Sequence, residues 1–441
     1  MTERDLAAVV LAGGLGTRMR SDTPKHLHPI LGRRMVDWVL QATRALDPVK
    51  LVVVSSPHTQ DAFDDVEVAV QAEPRGTGDA LASARDALDG FEGDVLVVSG
   101  DTPLLTSELL ERLVETHRGD GAAATVLTFE PDDLGAYGRI VRGADGGVTE
   151  IVEAADASEE QLKIVEANSS IYVFVADRVW PAIDKLEAAN AQGELYLTDA
   201  VRHLVAGGER VAAHVANPAL DAEGVNTRVE LAAAAAALRD RVNEQHMLAG
   251  VTIVDPATTW IDADVELEPD AVIHPFTVLR GKSRVATGAE VGPHVVAIDA
   301  AIGPGATVGP FCYLRPGAVL EAGAKAGTFV EIKNSHIGEG AKVPHLSYIG
   351  DADVGEGTNI GAGAITANYR PELGSGKQRT TIGRNVHTGS QNVFVAPVTL
   401  GDNAWVAAGS VVTKNVPPGA LALGRARQVN KEGYDDRKRH D

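Results

Sequence analysis

Cysteine and aromatic residues are scarce in this sequence. It has one cysteine, Cys312, among 441 residues, and aromatic residues make up 4%. A single thiol excludes an intramolecular disulfide and a zinc site built from cysteines. Because aromatic side chains are few, Val, Ile, Leu and Ala must fill most of the interior, which suits a fold of narrow, repeated layers.

Positive charge is also in short supply. The formal net charge is −21 at pH 7. This balance argues against nucleic-acid or anionic-membrane binding as the main function. Anionic metabolites can still bind where Arg, Lys and backbone N–H groups cluster locally.

Long apolar runs are missing as well. The alanine-rich stretch "LAAAAAALRD" is too short to span a bilayer, and charges flank it. No secretory signal peptide is recognisable at the amino terminus. We therefore expect a cytoplasmic protein with no membrane partner.

The first half of the chain alternates apolar strands with helices. "KLVVVSS" and "DVLVVSGD" are typical of buried strands, and "MVDWVLQATRAL", "TGDALASARDAL" and "SELLERLVETHR" are typical of helices. This alternation predicts a mostly parallel, doubly wound α/β sheet. Ligands of such sheets bind at the carboxyl ends of the strands, where the loops "AGGLGTRM" and "SGDTPLL" fall.

The second half has a different pattern, and the length suits two or three domains. Residues 229–248 have high helix propensity and predict a connecting helix. Aliphatic residues then recur every six positions, often followed by glycine, and this hexapeptide repeat predicts a parallel β-helix. The repeating positions form three series: Ile302, Val308, Leu314, Leu320, Ala326 and Ile332; Ile337, Val343 and Ile349; and Ile382, Thr388, Phe394, Leu400, Val406 and Val412.

The glycine loop after the first strand is accompanied by two cations. "AGGLGTRM" lacks the Gly-Lys-Ser/Thr of a Walker loop and the third glycine of the Rossmann fingerprint. A tight strand-to-helix turn alone would also explain the glycines. Arg18 and Lys25 nevertheless lie near backbone N–H groups that no side chain covers, an arrangement that suits a triphosphate.

Further motifs carry a family resemblance over nearly the whole chain. The segments "LAGGLGTRM", "QAEPRGTGDA", "SGDTPLL", "EANSSIYVF", "GVNTR", "FVEIKNS" and "VPHLSYIGDADVGEGTNIGAG" follow one another in this order. In these segments the sequence resembles the bifunctional N-acetylglucosamine-1-phosphate uridyltransferases/glucosamine-1-phosphate N-acetyltransferases. The resemblance implies small-molecule substrates and a homotrimer with acetyl sites between adjacent solenoids.

The implied architecture is an α/β doubly wound, Rossmann-like nucleotidyltransferase domain followed by a left-handed parallel β-helix. We expect the first domain over residues 1–228 and a linker helix over 229–248. The β-helix is expected over 249–428, with a flexible tail over 429–441.

For the first domain, the resemblance implies transfer of UMP from UTP to N-acetylglucosamine-1-phosphate with Mg²⁺. Arg18 would grip the leaving phosphates and Lys25 would neutralise charge near the α-phosphate, since such transfers depend on positioning and charge. Asp101 and Asn226 match the metal ligands. The remaining matches are Leu11, Ala12, Gly14, Gln71, Gly76 and Thr77 around the nucleotide, and Gly138, Glu153, Asn168 and Asn226 around the sugar phosphate.

Some features of this half depart from the family or have a simpler explanation. Gln71 can offer the donor and acceptor that a uracil edge requires, but Asp79 stands nearby where the family usually has His. Ser169–Ser170 replace a Thr-Gly or Ala-Gly pair. Lys25 alone would be a solvated surface cation, and Asp101 alone would belong to a helix-capping turn.

For the second domain, the resemblance implies acetylation of glucosamine-1-phosphate by acetyl-CoA. His345 matches the general base, although alone it would be a histidine on a solenoid corner, and Ser390 is a candidate donor to the oxyanion. The loop "NYRPELGSGKQR" is longer than usual in the family and carries Arg370 where Asp is common. Among the family matches, this departure bears most on Lys377, which lies in the same loop. The sugar-phosphate matches are Arg315, Lys333, Tyr348, Asn359 and Lys377, and the acetyl-CoA matches are Ala362, Asn368, Tyr369, Ser390, Ala408 and Arg425.

Two other functions are compatible with parts of this pattern. A monofunctional sugar-1-phosphate nucleotidyltransferase with a solenoid tail would lack the pair His345 and Tyr348. A non-catalytic regulator that binds nucleotide-sugars would have lost Arg18, Lys25 or Asp101. All five residues are present, which favours the bifunctional enzyme.

Overall fold

The computed structural model describes residues 4–14 and 16–434. The chain divides into two compact units, one ending at Leu238 and the other beginning at Arg239. The expected boundaries at residues 228, 248 and 428 stay predictions, and residues 435–441 of the expected tail lie outside the described part.

The first unit is built on a mixed sheet. Its main path runs β11-β7-β10-β6-β1-β4-β5, with β8 paired to β10 and β9, while β2 and β3 form a separate hairpin. Strand β1 is central and runs parallel to both β4 and β6. The strands are β1 (Leu6–Ala12), β2 (Pro29–Ile30), β3 (Arg33–Arg34), β4 (Lys50–Ser55), β5 (Glu67–Val70), β6 (Asp94–Ser99), β7 (Ala124–Phe129), β8 (Arg139–Arg142), β9 (Val148–Val152), β10 (Ala167–Val175) and β11 (Val211–Val215).

Helices cover both faces of this sheet, which confirms the doubly wound prediction. Alternate residues of β1 enter two cores, with Ala7 and Val9 in one and Ala8 and Val10 in the other. This alternation explains why the strand is an unbroken apolar run, because both of its faces are buried. These helices are α1 (Met35–Arg44), α2 (Thr77–Ser83), α3 (Ser107–Asp120), α4 (Ala176–Ile183) and α5 (Leu197–Ala206). A sixth helix, α6 (Arg228–Leu248), begins in the first unit and ends in the second.

Two details of this unit differ from the sequence-based expectation. Strand β10 pairs antiparallel with β6 and β7, because the segment before it forms the β8–β9 hairpin and not a helical crossover. Helix α2 ends at Ser83, and the chain continues into a 3₁₀ turn at Asp86–Leu88 where one longer helix was expected.

The second unit is a parallel β-helix with three faces, as the hexapeptide repeat predicts. The first face holds Thr252–Ile253, Val272–Ile273, Glu290–Val291, Thr307–Val308, Lys325–Thr328, Lys342–His345, His387–Thr388, Trp405–Val406 and Leu421–Ala422. The second holds Trp260–Ile261, Val278–Arg280, Val296–Ile298, Tyr313–Leu314, Glu331–Lys333, Tyr348–Gly350, Ile365–Ala367, Val393–Val395 and Val411–Val412. The third holds Glu266–Leu267, Arg284–Val285, Ala301–Ile302, Ala318–Leu320, Ser335–Ile337, Ala352–Val354, Thr380–Ile382 and Val398–Leu400.

The repeating side chains point inward and stack from coil to coil. All fifteen positions of the predicted repeat are buried. Along the third face Ile302 pairs with Leu320 and Leu320 with Ile337, so a coil takes 18 or 17 residues, about three hexapeptides. Val354 pairs next with Ile382, because the loop singled out in the sequence extends this coil.

No helix in the described ranges 4–14 and 16–434 is both long enough and apolar enough to cross a membrane.

Candidate active sites

The glycine loop packs closely against Lys25. Gly16 has φ 63°, and a Cβ placed there would lie 2.4 Å from Cβ of Lys25. Both the left-handed backbone and this close approach require glycine. Arg18 lies on the 3₁₀ turn Thr17–Met19 that follows. The loop thus sets both cations at the carboxyl end of β1.

These cations meet the two expected metal ligands. The Lys25 ammonium donates to the Asp101 carboxylate and, over 2.9 Å, to Oδ1 of Asn226. Arg18 donates to the same Asn226 oxygen over 2.9 Å. The side chains of Lys25 and Asp101 are only 15% and 19% exposed, so Lys25 is not a solvated surface cation. Asp101 does not cap the following helix, since Thr106 is the N-cap of α3.

Asp101 is held in its charged form. Burial raises the pKa of this carboxyl, but the charge and hydrogen bond of Lys25 outweigh it and leave the pKa below its usual value. The oxygens of Asp101 and Asn226 already share one cationic group, the Lys25 ammonium. A carboxylate and an amide oxygen are ligands that Mg²⁺ accepts when phosphates and water complete its shell, so this pair fits the ion.

A cavity of about 530 Å³ brings together six of the residues expected in the first site. They are Arg18, Asp101, Gly138, Glu153, Asn168 and Asn226. Among the described residues that line it, Arg18 is the one Arg or Lys, against the carboxylates of Asp101, Asp132, Asp133, Glu153, Glu223 and Glu230. The wall is therefore mainly acidic, in contrast to the cationic cleft that the loop motif suggests.

Two of the sugar-phosphate matches, Glu153 and Asn168, are fixed by hydrogen bonds to neighbouring residues. Glu153 accepts a hydrogen bond from Thr198 over 3.2 Å, and burial raises the pKa of its carboxyl. Asn168 donates to the Tyr172 hydroxyl over 2.8 Å and accepts from the backbone N–H of Ser170 over 3.0 Å. The hydroxyls of Tyr172 and Thr198 were not predicted, because no local pattern shows which side chains they contact in the fold.

A second cavity of about 330 Å³ also has Glu153 in its wall. Tyr196 and Thr198 line it, and the buried Tyr196 hydroxyl has no hydrogen-bond partner among the described residues. Both residues lie in the segment "ELYLTDAV", so their chemistry is present in the sequence although their position in the fold is not.

The expected nucleotide residues form a separate group around the ends of β1 and β5. The carbonyl of Leu11, beside Ala12 and Gly14, accepts from Gly100 over 2.9 Å. Gln71 follows β5 and donates to the Gly76 carbonyl over 3.1 Å. Thr77 begins α2, and its hydroxyl accepts from the backbone N–H of Leu197 over 3.0 Å.

In the solenoid, the expected base and three coenzyme contacts lie in one column. His345, Ala362, Ser390 and Ala408 occupy the same corner of successive coils, and we call them the His345 column. The carbonyl of His345 accepts a hydrogen bond over 3.2 Å from the residue after Ala362. The carbonyl of Ala362 accepts one over 2.7 Å from the residue after Ser390, and that of Ser390 accepts one over 2.8 Å from the residue after Ala408. The His345 side chain is exposed on the corner. Arg425 is near the column, with Cδ 3.8 Å from a Cβ placed at Gly409.

Most of the expected sugar-phosphate contacts lie along the second face. Arg315 donates to Glu331 over 2.9 Å. Lys333 pairs with Gly350, where a Cβ would come 2.3 Å from the Tyr348 hydroxyl and 2.7 Å from Nδ2 of Asn368. Gly350 therefore makes the room in which Tyr348 and Asn368 meet, with a hydrogen bond of 3.2 Å.

The remaining matches lie apart from this group. The Lys377 ammonium lies 4.2 Å from the ring centroid of Tyr369, a cation–π contact within the extended coil. Asn359 pairs with Lys342 and His387 on the first face. Among the described residues, no side-chain hydrogen bond joins His345 to any of these groups.

An exposed apolar edge runs along the solenoid beside His345. Phe276, His294, Phe311 and Phe329 stack with ring centroids 4.8, 4.8 and 5.2 Å apart, and we call them the aromatic corner. All four have positive φ, and so does Leu346, the exposed residue next to His345. The three phenylalanines are likewise exposed.

Comparisons with known proteins identify the family. Family models described as a MobA-like NTP transferase domain and a hexapeptide repeat of succinyl-transferase match residues 8–211 and 379–414. The chain is similar to the bifunctional protein GlmU of Streptomyces coelicolor, with 50% identity over 99% of this chain and 95% of the relative. It is also similar to that of Mycobacterium bovis, with 48% identity over 99% of this chain and 93% of the relative. The chain therefore belongs to the family of bifunctional GlmU proteins.

Proposed function

We propose that this protein makes UDP-N-acetylglucosamine in two steps. The solenoid acetylates glucosamine-1-phosphate with acetyl-CoA, and the α/β unit then transfers UMP from UTP to the product. The observation that carries the proposal is the Lys25 ammonium bound by Asp101 and Asn226 at the edge of an acidic cavity. A cluster of two cations, a carboxylate and an amide suits the chemistry of a triphosphate.

In the uridylyl step, a phosphate oxygen of N-acetylglucosamine-1-phosphate attacks the α-phosphorus of UTP and pyrophosphate leaves. Such a step needs no protein nucleophile, and its rate depends on positioning and charge neutralisation. Arg18 binds the leaving phosphates, and Lys25 neutralises charge beside the α-phosphate. Asp101 and Asn226 would hold Mg²⁺, which supplies further neutralisation when bound.

The acidic wall explains why cations are needed in this site. The carboxylates that line the cavity would repel a sugar phosphate and a nucleotide, and Arg18 alone cannot offset them. A divalent cation and the Lys25 ammonium lower this repulsion. We therefore expect binding of both substrates to depend on Mg²⁺.

In the acetyl step, His345 takes a proton from the amine of glucosamine-1-phosphate as the amine attacks the thioester carbonyl. The carbonyl oxygen becomes an oxyanion, and the hydroxyl or backbone N–H of Ser390 donates to it. The thiol of coenzyme A then leaves. Ala362 and Ala408 carry only methyl groups and so leave room for acetyl-CoA along the His345 column.

We further propose that three copies assemble through the aromatic corner. A stacked row of exposed phenylalanines is the kind of apolar edge that a partner covers. Because Leu346 continues this row, the covered edge reaches His345. Among the described residues no side-chain hydrogen bond joins His345 to the sugar-phosphate residues of the second face, and a neighbouring solenoid would complete the site. The proposed substrates, and a single buried cysteine, suit the cytoplasm.

The test is a reaction mixture with glucosamine-1-phosphate, acetyl-CoA, UTP and Mg²⁺, followed by mass spectrometry. N-acetylglucosamine-1-phosphate should form first and UDP-N-acetylglucosamine second. Without Mg²⁺, the second product should fail to appear. A nucleotide-sugar formed without any acetylated product would favour the monofunctional transferase, and no consumption of substrates would favour a binding protein.

A further inference from the structure

Gln71 has a side-chain amide whose orientation is fixed by the protein. Its Nε2 donates to the Gly76 carbonyl over 3.1 Å and to the Asp79 carboxylate over 3.0 Å. Both partners only accept hydrogen bonds, so the nitrogen and not the oxygen must face them. The two amide hydrogens are thereby used, and the side chain is buried in this position.

Asp79 is itself held by a second partner. Its Oδ1 accepts from Arg75 over 3.0 Å, while Oδ2 accepts from Gln71. The Asp79 side chain is 12% exposed and that of Arg75 is 64% exposed. The carboxylate thus lies between a solvent-facing cation and the buried amide, with one oxygen for each.

The remaining atom of the amide, Oε1, faces the glycine loop. A Cβ placed at Gly13 would lie 2.9 Å from this oxygen, so the missing side chain at Gly13 makes room for it. Within residues 4–14 and 16–434, no hydrogen-bond donor reaches Oε1. Gln71 therefore presents an acceptor, and no donor, beside the loop that follows β1.

We propose that Asp79 is a positioning residue that sets the nucleobase preference of the uridylyl site by fixing the Gln71 amide with its oxygen toward the base. This inference rests on the proposed function. Uracil offers an N3–H donor between two carbonyl acceptors, whereas cytosine has an unprotonated N3 that accepts. An oxygen held toward N3 is bonded by uracil and repelled by cytosine. Asp79 acts through Gln71 and does not touch the substrate.

The test is the ratio of kcat/KM for UTP to that for CTP in Asp79→Asn. The substituted amide has nearly the same shape, but Arg75 attracts its oxygen and turns its NH₂ toward Nε2 of Gln71. Two donors then face each other, and the Gln71 amide is no longer held in one orientation. We expect the UTP/CTP ratio to fall about tenfold, mainly through a higher KM for UTP.

A second variant separates positioning from general damage to the site. In Arg75→Ala/Asp79→Asn no guanidinium attracts the oxygen of the substituted amide. This oxygen can then accept a hydrogen bond from Gln71, and the UTP/CTP ratio should recover toward the wild-type value. Arg75→Ala alone should leave the ratio close to wild type, because the carboxylate can still only accept. Damage to packing would not be repaired by removing a further ion pair.

Three results would overturn the inference. A UTP/CTP ratio that stays within twofold of wild type in folded Asp79→Asn overturns the role of Asp79 and leaves the proposed function standing. A lowered ratio that the double variant fails to restore also overturns it. If the wild-type chain does not form UDP-N-acetylglucosamine from UTP, the proposed function and this inference fall together.

Discussion

The two units of this molecule gather their functional residues in different ways. In the α/β unit, Arg18 and Asn226 are 208 positions apart and are joined by a direct side-chain hydrogen bond of 2.9 Å. In the solenoid, His345, Ala362 and Ser390 are aligned by backbone hydrogen bonds between coils. The first site depends on side chains that meet, and the second depends on the register of a repeat.

This difference indicates whether each site is complete in a single chain. Six expected residues of the α/β unit enclose a cavity of about 530 Å³ within one unit. The expected residues of the solenoid lie on an exposed corner and on the adjoining face, next to an apolar edge. The α/β site should therefore work alone, and the acetyl site should require a second solenoid.

The largest expected effects come from removing one residue of each site. His345→Ala should lower acetyl transfer by about 10²–10⁴-fold, the usual contribution of a general base, and leave uridylyl transfer unchanged. Asp101→Ala should lower uridylyl transfer by about 10²–10³-fold, because it removes a charge that the cation cluster needs, and leave acetyl transfer unchanged. Separate assays of the two steps measure both effects.

A matched solenoid histidine provides the control. His336 pairs with Glu321 over 2.8 Å on an exposed surface away from the His345 column. His336→Ala should retain both activities. If either Asp101→Ala or His345→Ala removed both activities from a folded assembly, the two sites would not be independent.

The next effect tests whether the solenoid site needs a neighbour. Phe311→Asp places a charge in the aromatic corner, where a partner would have to bury it. We expect the mass measured by light scattering to fall from three chains to one, with loss of acetyl transfer and retention of uridylyl transfer. Thr399→Asp adds the same charge at an exposed position of the third face and should change neither. A monomer that still acetylates would contradict the shared site.

The same contrast explains how much of each unit could be predicted from the sequence. A period of six residues is a local property, so the buried positions of the solenoid, from Ile302 to Val412, followed directly from spacing. The long coil between Val354 and Ile382 was visible as an extra loop. Periodicity does not specify which corner another chain would cover, and only the stacked rings of the structure point to the aromatic corner.

In the α/β site, the sequence does not show which groups contact one another in the fold. The motifs named Gln71 as a donor and acceptor, yet Gly76 and Asp79 use its donor atoms within the protein. The motifs also suggested a cationic cleft, whereas Glu223 and Glu230 come from segments far from the glycine loop and make the wall acidic. Long-range pairings of this kind depend on the tertiary fold, which no local pattern encodes.

A smaller effect concerns stability and pH in the α/β unit. Asp94 is fully buried and accepts from Nε of Arg118 over 2.8 Å. Burial raises the pKa of this carboxyl, but His117 and Arg118 outweigh it, so the folded pKa is depressed. A depressed pKa stabilises the fold above the unfolded value near 4 and loses this contribution as pH falls through the folded value. We expect Asp94→Asn to lower the free energy of unfolding by about 2 kcal/mol at pH 7, measured by urea unfolding.

The pH dependence separates this contribution from ordinary surface charge. In wild type the free energy of unfolding of the α/β unit should fall below about pH 4, and in Asp94→Asn this fall should be smaller. Asp65 pairs with Arg44 over 2.7 Å but is exposed, so Asp65→Asn should change stability by only a few tenths of a kcal/mol. Equal losses in the two variants would show that burial of Asp94 is not the cause.

The smallest effect compares two neighbouring serines in the α/β cavity. Ser170 has φ 62°, a left-handed backbone that costs an L-residue about 1 kcal/mol, and part of this cost should be recovered in Ser170→Gly. Ser169 is buried, and its hydroxyl donates to the Leu127 carbonyl over 2.6 Å. Ser169→Gly should therefore destabilise by about 1–2 kcal/mol, while Ser170→Gly stabilises by about 0.5 kcal/mol. Thermal unfolding measures both, and a loss of stability in Ser170→Gly would mean that the side chain, and not the backbone, determines the conformation at this position, where the pairing of β10 with β7 shifts register.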